Sequence, residues 1–104
     1  MKPDPAASLH ILNASSFEHA ALAQRLTRFA SSGDGVLLIE NGVHTLQDAD
    51  LLASIEQAGL TVYALTPDVN ARHLPTPSSA VTLVDDVDFV SLCCAYRKTI
   101  SWVS

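Results

Sequence analysis

One stretch decides the fold of this chain: Gly33-Asp34-Gly35-Val36-Leu37-Leu38-Ile39-Glu40-Asn41-Gly42-Val43. Its four consecutive branched apolar residues are typical of a strand that is buried on both faces of a parallel sheet. The run ends in a polar turn whose glycine permits an unusual backbone conformation. Ligands and partners of α/β proteins gather where such strands end, so the stretch bears on function as well as on fold.

Apolar strand patterns alternate with helix patterns along the rest of the chain. We predict strands at Leu9–Leu12, Val36–Ile39, Thr61–Leu65, Ala80–Val84 and Thr99–Val103. We predict helices over about Ser16–Ala30, from the Thr45 and Asp48 cap spacing to Gly59, briefly from the N-cap Thr66, and from Asp85 to about Tyr96. The alternation favours an α/β fold with a parallel sheet covered on both faces. An α+β sandwich with antiparallel pairs is the alternative, but hairpin signals between consecutive strands are lacking.

Length and composition indicate one small aliphatic domain. The chain has 104 residues, of which 48% are hydrophobic, and we expect residues 1–7 to form a disordered tail and residues 8–104 a single domain. No apolar run approaches the roughly 18 residues that cross a bilayer, and the N-terminus lacks the apolar stretch of a signal peptide. We therefore expect a cytoplasmic protein without a membrane association.

The charge pattern favours a protein partner over nucleic acid. The net charge is −5, and the six basic residues are scattered rather than arranged in a stripe: Lys2, Arg25, Arg28, Arg72, Arg97 and Lys98. Phosphate contacts from clustered cations supply most non-specific affinity for nucleic acids. Direct binding of nucleic acid by this chain alone is therefore not expected.

Polar residues collect where the predicted strands end. They are Asn13, Ser15, Ser16, Glu40, Asn41, Gly42, His44, Thr66, Asp85 and Asp86. The serines, Thr66 and the aspartates have the positions of helix caps and turns. The remaining candidates form a possible contact edge of Glu40, Asn41, Gly42 and His44, in which we interpret Glu40 as a solvated turn residue rather than a catalytic carboxylate.

The two cysteines are adjacent, and vicinal cysteines rarely bridge each other without strain. Cys93 and Cys94 fall inside the fourth predicted helix, where core packing is the favoured interpretation; nearby Arg97 and Lys98 keep a reactive thiol open as the alternative.

The other residue types suggest no resident chemistry. The four histidines have no metal-ligand spacing, and we expect His10, within the first strand, to be a core or interface residue with one satisfied nitrogen. No glycine loop precedes a helix in the way that phosphate binding requires. The residues thus predict neither a cofactor nor a metal, and no catalytic residue.

Segments along nearly the whole domain resemble the TusB/DsrH family of sulfur-relay proteins. They are Leu9–Ser15, Gly33–Val43, Val62–Arg72, Val84–Leu92 and the late Trp102. The resemblance implies a DsrE-like three-layer α/β/α fold with a mostly parallel five-stranded sheet. It also implies assembly with homologous TusC-like and TusD-like subunits into a dimer of heterotrimers, in which a persulfide passes along cysteines toward 2-thiolation of the wobble uridine of tRNA.

The cysteines of the family have no counterpart at the matching positions. The relay cysteine of the TusD-like subunit follows the third strand, a position that corresponds here to about Leu65–Thr66, and a first-helix cysteine of some DsrH proteins corresponds to Arg25. The resemblance therefore implies a non-catalytic structural subunit. One alternative is a DsrH-like sulfur carrier of sulfur oxidation that uses Cys93 or Cys94. Another is a domain that binds a small ligand at the Glu40–His44 edge, although no sequence motif supports it.

Overall fold

A computed structural model describes residues 6–75, 77–78 and 80–102 of the chain. Its strands are β1 (Ser8–Leu12), β2 (Gly35–Leu38), β3 (Thr61–Leu65), β4 (Val81–Val84) and β5 (Lys98–Trp102). Its helices are α1 (Ala20–Phe29), α2 (Ala49–Gln57), α3 (Thr66–Ala71) and α4 (Asp86–Ala95), with a 3-10 segment at Glu40–Gln47. The strands form one parallel sheet in the order β4-β3-β2-β1-β5, which confirms the predicted α/β fold.

The strand order explains how the helices are distributed over the two faces. From β1 to β4 the chain steps across the sheet in one direction, and right-handed crossovers place the intervening helices on one face. The return from β4 to β5 crosses the whole sheet in the opposite direction, so α4 lies on the other face. The result is consistent with three layers.

Each face of the sheet has its own apolar core. The first core packs strand residues against α1, α2 and α3, and it includes Leu12, Leu26, Val36, Leu38, Ile55, Val62 and Val69. The second packs the opposite side chains of the strands against α4, and it includes Leu9, Leu37, Tyr63, Leu92 and Tyr96. In the part of the chain that the structure describes, α4 is the one helix that contributes to this second core.

The first helix begins later than predicted. It starts at Ala20 rather than near Ser16, and its N-cap residue His19 makes no side-chain cap. The predicted capping pair does form, since Ser15 Oγ accepts the Glu18 N–H at 3.1 Å, but it closes a turn that precedes the helix. The Ser16 N–H is meanwhile bonded to Thr45 Oγ1 at 3.1 Å, which ties this turn to the 3-10 segment.

Two other predicted caps were wrong by a few residues, and one was right. Asp48, not Thr45, caps α2, because its Oδ1 accepts the Leu51 N–H at 3.1 Å. Thr66 is the first residue of α3 and Leu65 is its N-cap. Asp85 caps α4 as predicted and accepts the Asp88 N–H at 2.8 Å.

The ends of the chain are partly described. Residues 1–5 of the predicted tail, and Val103 of the predicted last strand, lie outside the described residues. Ala7, which we placed in the tail, is instead buried, and its carbonyl accepts the Arg97 N–H at 3.0 Å. None of the helices within the described residues is long and apolar enough to span a bilayer.

Candidate functional site

The turn after β2 is locked against the end of β1. The Ile39 N–H donates to the Leu12 carbonyl at 3.1 Å, and the Gly42 N–H donates to the Asn13 carbonyl at 3.1 Å. Gly42 is buried, and a Cβ at this position would collide with the Leu12 carbonyl oxygen. Glycine is therefore required here by a close approach of two backbones.

Glu40 and Asn41 are fastened to the neighbouring helix α3. Glu40 has a positive φ of 50°, and its N–H donates to Asp68 Oδ2 at 2.7 Å. Arg72 donates from Nε to Asn41 Oδ1 at 3.1 Å and lies 3.7 Å from Asp68 Oδ1. The contacts hold the loops after β2 and β3 together, while the Glu40 residue itself stays exposed.

Asn41 and His44 also line a shallow surface cavity. Its volume is about 260 Å³, and its lining consists of Ser15, Phe17, Glu18, Asn41, His44 and Gln47. Phe17 is 64% exposed beside these polar groups. An exposed aromatic ring with a polar surround is a composition common in protein contact surfaces.

The remaining polar residues of this sheet edge hold the loops together. Ser16 donates from Oγ to Asp48 Oδ2 at 2.7 Å. Thr45 is fully buried and accepts the Ser16 N–H. The Ser15 and Asp85 side chains have the turn and cap roles that their positions suggested, whereas the Ser16 side chain makes a long-range contact instead.

The thiols lie apart from this edge. The ten-residue α4 begins at the carboxyl ends of the strands and runs back about 15 Å, so Cys93 and Cys94 approach the opposite end of the sheet. Cys93 is half-buried against the second core, as predicted, whereas Cys94 is exposed and the core-packing prediction is wrong for it. Burial raises the pKa of Cys93, and the neighbouring Cys94 raises it further, which favours the protonated thiol.

His10 is buried within the sheet and uses both ring nitrogens, one more than predicted. Nδ1 accepts the indole N–H of Trp102 at 3.0 Å, so the ring proton is on Nε2, which donates to Asp34 Oδ2 at 2.9 Å. His10 is therefore a structural residue. No group of three or more His, Cys, Asp or Glu side chains suited to a metal ion occurs among the residues that the structure describes.

Sequence reasoning missed two residues of the contact edge. Phe17 was assigned to the first helix, where its outward position could not be recognised. Arg72 contacts Asn41 across 31 positions of sequence, and no local pattern reports such a contact. Leu65 is buried and Arg25 is exposed; these are the two positions that the family resemblance matches to cysteines.

The chain is thus a parallel α/β domain whose turn after β2 is held against the end of β1. The sequence profile of the family described as DsrH like protein matches residues 14–99, and the chain belongs to this family. It is similar to the proteins named Protein TusB of Salmonella dublin and Salmonella enteritidis, with 38% identity over 79 residues, or 74% of this chain and 83% of theirs. Protein TusB of Salmonella arizonae is 37% identical over the same lengths. The resemblance drawn from the sequence segments is confirmed.

Proposed function

We propose that this chain is a non-catalytic structural subunit of a sulfur-relay complex that acts in 2-thiolation of the tRNA wobble uridine. The observation that carries the proposal is the junction of β3 and α3, where Leu65 and Thr66 stand and offer no thiol. The resemblance to the family implies that this position corresponds to the relay cysteine of the active subunit. A subunit without this thiol has no nucleophile with which to accept the persulfide there. Membership of the DsrH-like family supports the wider relay role.

The placement of the two cysteines supports a non-catalytic role. Cys93 is half-buried with a raised pKa, and both thiols lie toward the end of the sheet opposite the β3–α3 junction. A relay needs the donor and acceptor thiolates to meet in one accessible pocket. Only Cys94 has the exposure that a sulfur carrier would need, and it is the residue on which that alternative depends.

The partners in this proposal are TusC-like and TusD-like subunits in the cytoplasm. The contact edge of Glu40, Asn41, Gly42 and His44, extended by Phe17, offers one of them a rigid surface at the carboxyl end of the sheet. With a net charge of −5, the chain would leave tRNA contacts to other subunits. Its role would be to hold the active subunit in position.

The test replaces both thiols in the assembled complex. The chain is co-expressed with its TusC-like and TusD-like partners, either unchanged or as the double variant Cys93→Ser/Cys94→Ser, and 2-thiouridine in tRNA is measured. We expect one stable complex and equal activity in both cases, with loss of activity when this chain is omitted.

Mass spectrometry of each subunit after incubation with a persulfide donor supplies the second readout. The proposal expects the persulfide on the active partner and none on this chain. A persulfide on Cys94 together with an inactive double variant would establish the sulfur-carrier alternative, and recovery of this chain as a strict monomer would remove the structural role.

A further inference from the structure

The helix α4 is apolar on both of its faces. Leu92 points into the second core and is only 1% exposed. On the opposite side, Val87 and Val90 are 75% and 65% exposed, and Ser91 and Cys94 complete a stripe at helical spacing. A helix that is apolar all round is normally buried on all sides, so this outer stripe lacks the cover that its composition calls for.

A groove beside α4 widens the apolar surface. It has a volume of about 300 Å³ and lies between the helix and the edge strand β4, lined by Thr82, Leu83, Val84, Asp88, Ser91, Leu92 and Ala95. Leu83 is 39% exposed, and β4 pairs with β3 along one side only. The α4 stripe and this groove form one continuous surface, called here the α4 surface.

The charges at the two ends of α4 are opposite in sign. Asp85, Asp86 and Asp88 are exposed at its start, and Arg97 and Lys98 are exposed directly after its end. The ion pairs among the described residues involve other side chains, so none of these five has an ion-pair partner in that part of the chain. A surface with carboxylates at one end, cations at the other and an apolar centre is complementary to a reversed copy of itself.

We propose that α4 pairs antiparallel with α4 of a second copy of this chain about a two-fold axis. The axis passes between Val90 and Ser91, so Val87 faces Cys94 of the second copy and the aspartates face its Arg97 and Lys98. A parallel arrangement would instead place the carboxylates against each other. The pairing needs no relay chemistry and stands independently of the proposed function.

The register of the pairing can be tested by directed cross-linking. The purified full chain carrying Val87→Cys is oxidised with diamide and run on a non-reducing gel. The introduced thiol should form a disulfide with Cys94 of the second copy, because positions 87 and 94 of one helix are separated by about 10.5 Å and cannot bridge within the chain. Peptide mapping should recover the 87–94 linkage.

Matched controls distinguish this geometry from random collision. Val87→Cys/Cys94→Ser removes the acceptor and should lose the dimer band, and Ala53→Cys, an exposed position on α2 across the sheet, should cross-link at least about 10-fold more slowly. Cross-linking that persists in the double variant would overturn the proposal. So would cross-linking of position 87 to a homologous subunit in the co-expressed complex.

The charge pattern supplies an independent test by sedimentation equilibrium. Asp86→Lys and Arg97→Glu should each weaken self-association at least about 10-fold, and the double charge exchange should restore it. Asp50→Lys reverses the same charge in the first turn of α2 and should leave association unchanged. A monomeric wild-type chain at all concentrations, or no recovery in the double exchange, would refute the pairing.

Discussion

Trp102 donates its indole N–H to Nδ1 of His10 over 3.0 Å, across 92 positions of sequence. His10 in turn donates from Nε2 to Asp34, and Phe29 stands edge-on to the Trp102 ring at a centroid distance of 5.7 Å. The hydrogen bonds link the edge strand β5 through β1 to the residue that precedes β2. They stabilise the lateral edge of the sheet formed by β5, which has a neighbouring strand on one side only.

Asp34 is the residue of this network whose loss should cost most. Its carboxylate accepts the N–H groups of Ser8 and Ser31 as well as the His10 proton. Asp34→Ala leaves these donors unpaired in a buried site, and we expect a loss of about 3 kcal/mol in the free energy of unfolding, measured by urea denaturation. Asp50→Ala, on the exposed surface of α2, should change it by less than about 0.5 kcal/mol. Equal effects of the two changes would contradict the role of the network.

The same carboxylate should make stability depend on pH in the acid range. Burial alone would raise the pKa of Asp34, but hydrogen bonds from Ser8, His10 and Ser31 outweigh it and lower this pKa below its ordinary value of 3.8. The unfolded chain therefore binds the proton first. The stabilisation is fully present above pH 3.8 and is lost as the pH falls through the lowered folded-state pKa.

The measurement compares wild type with Asp34→Asn by urea denaturation between about pH 6 and about pH 2. The difference in the free energy of unfolding should be largest at the upper end and shrink as the medium becomes acidic. Because both proteins share all other carboxyl groups, those contributions cancel in the difference. A difference that stays constant over this range would show that the charge of Asp34 contributes nothing.

Gly42→Ala should destabilise the chain through the backbone contact with β1. The added Cβ meets the Leu12 carbonyl oxygen, which cannot move without breaking its hydrogen bond from the Ile39 N–H. We expect a loss of about 3 kcal/mol in the free energy of unfolding. Gln47→Ala, exposed at the end of the same 3-10 segment, is the control and should be nearly neutral. A neutral Gly42→Ala would show that the turn can relax away from β1.

Phe17→Ala tests the contact edge without disturbing the fold. The ring is 64% exposed, so its removal should change the free energy of unfolding by less than about 0.5 kcal/mol while weakening binding to the partner subunits about 10-fold. The comparison is Phe29→Ala, an equally exposed ring that packs on Trp102, which should lower stability and leave partner binding unchanged. Titration calorimetry and urea denaturation separate the two effects. Unchanged affinity in Phe17→Ala would exclude this edge as the interface.

Local features were predicted well because they depend on neighbours in sequence. Thr61–Leu65 has the predicted bounds, since a run of β-branched and aromatic residues between turn signals specifies a strand without help from elsewhere. Asp85 caps α4 and Gly59 ends α2 with a φ of 81°, because each acts on backbone groups a few residues away. The start of α1 was wrong because the Ser15 and Glu18 capping pair closes a separate turn, and the helix begins only at Ala20.

The contact edge itself stays a prediction, and it too depends on local sequence. Glu40, Asn41, Gly42 and His44 follow a buried strand, and the carboxyl ends of parallel strands meet at one side of the sheet. Phe17 and Arg72 were not predicted to lie beside this edge, because only the tertiary structure brings them there. The exposure of Cys94 likewise could not be predicted from the sequence. Because α4 is apolar on both faces, periodicity does not distinguish its inward side.

By itself, then, the sequence determined the alternation of strands and helices, the family, and the absence of a thiol at Leu65 and Thr66. These follow from local propensity, capping and residue identity. Only the tertiary structure decided the strand order, the packing of α4 against the second face of the sheet, and the Trp102–His10–Asp34 network. The physical reason is that strand order, helix placement and such hydrogen bonds arise from pairing and packing between segments far apart in the chain, whose free energy no local pattern records.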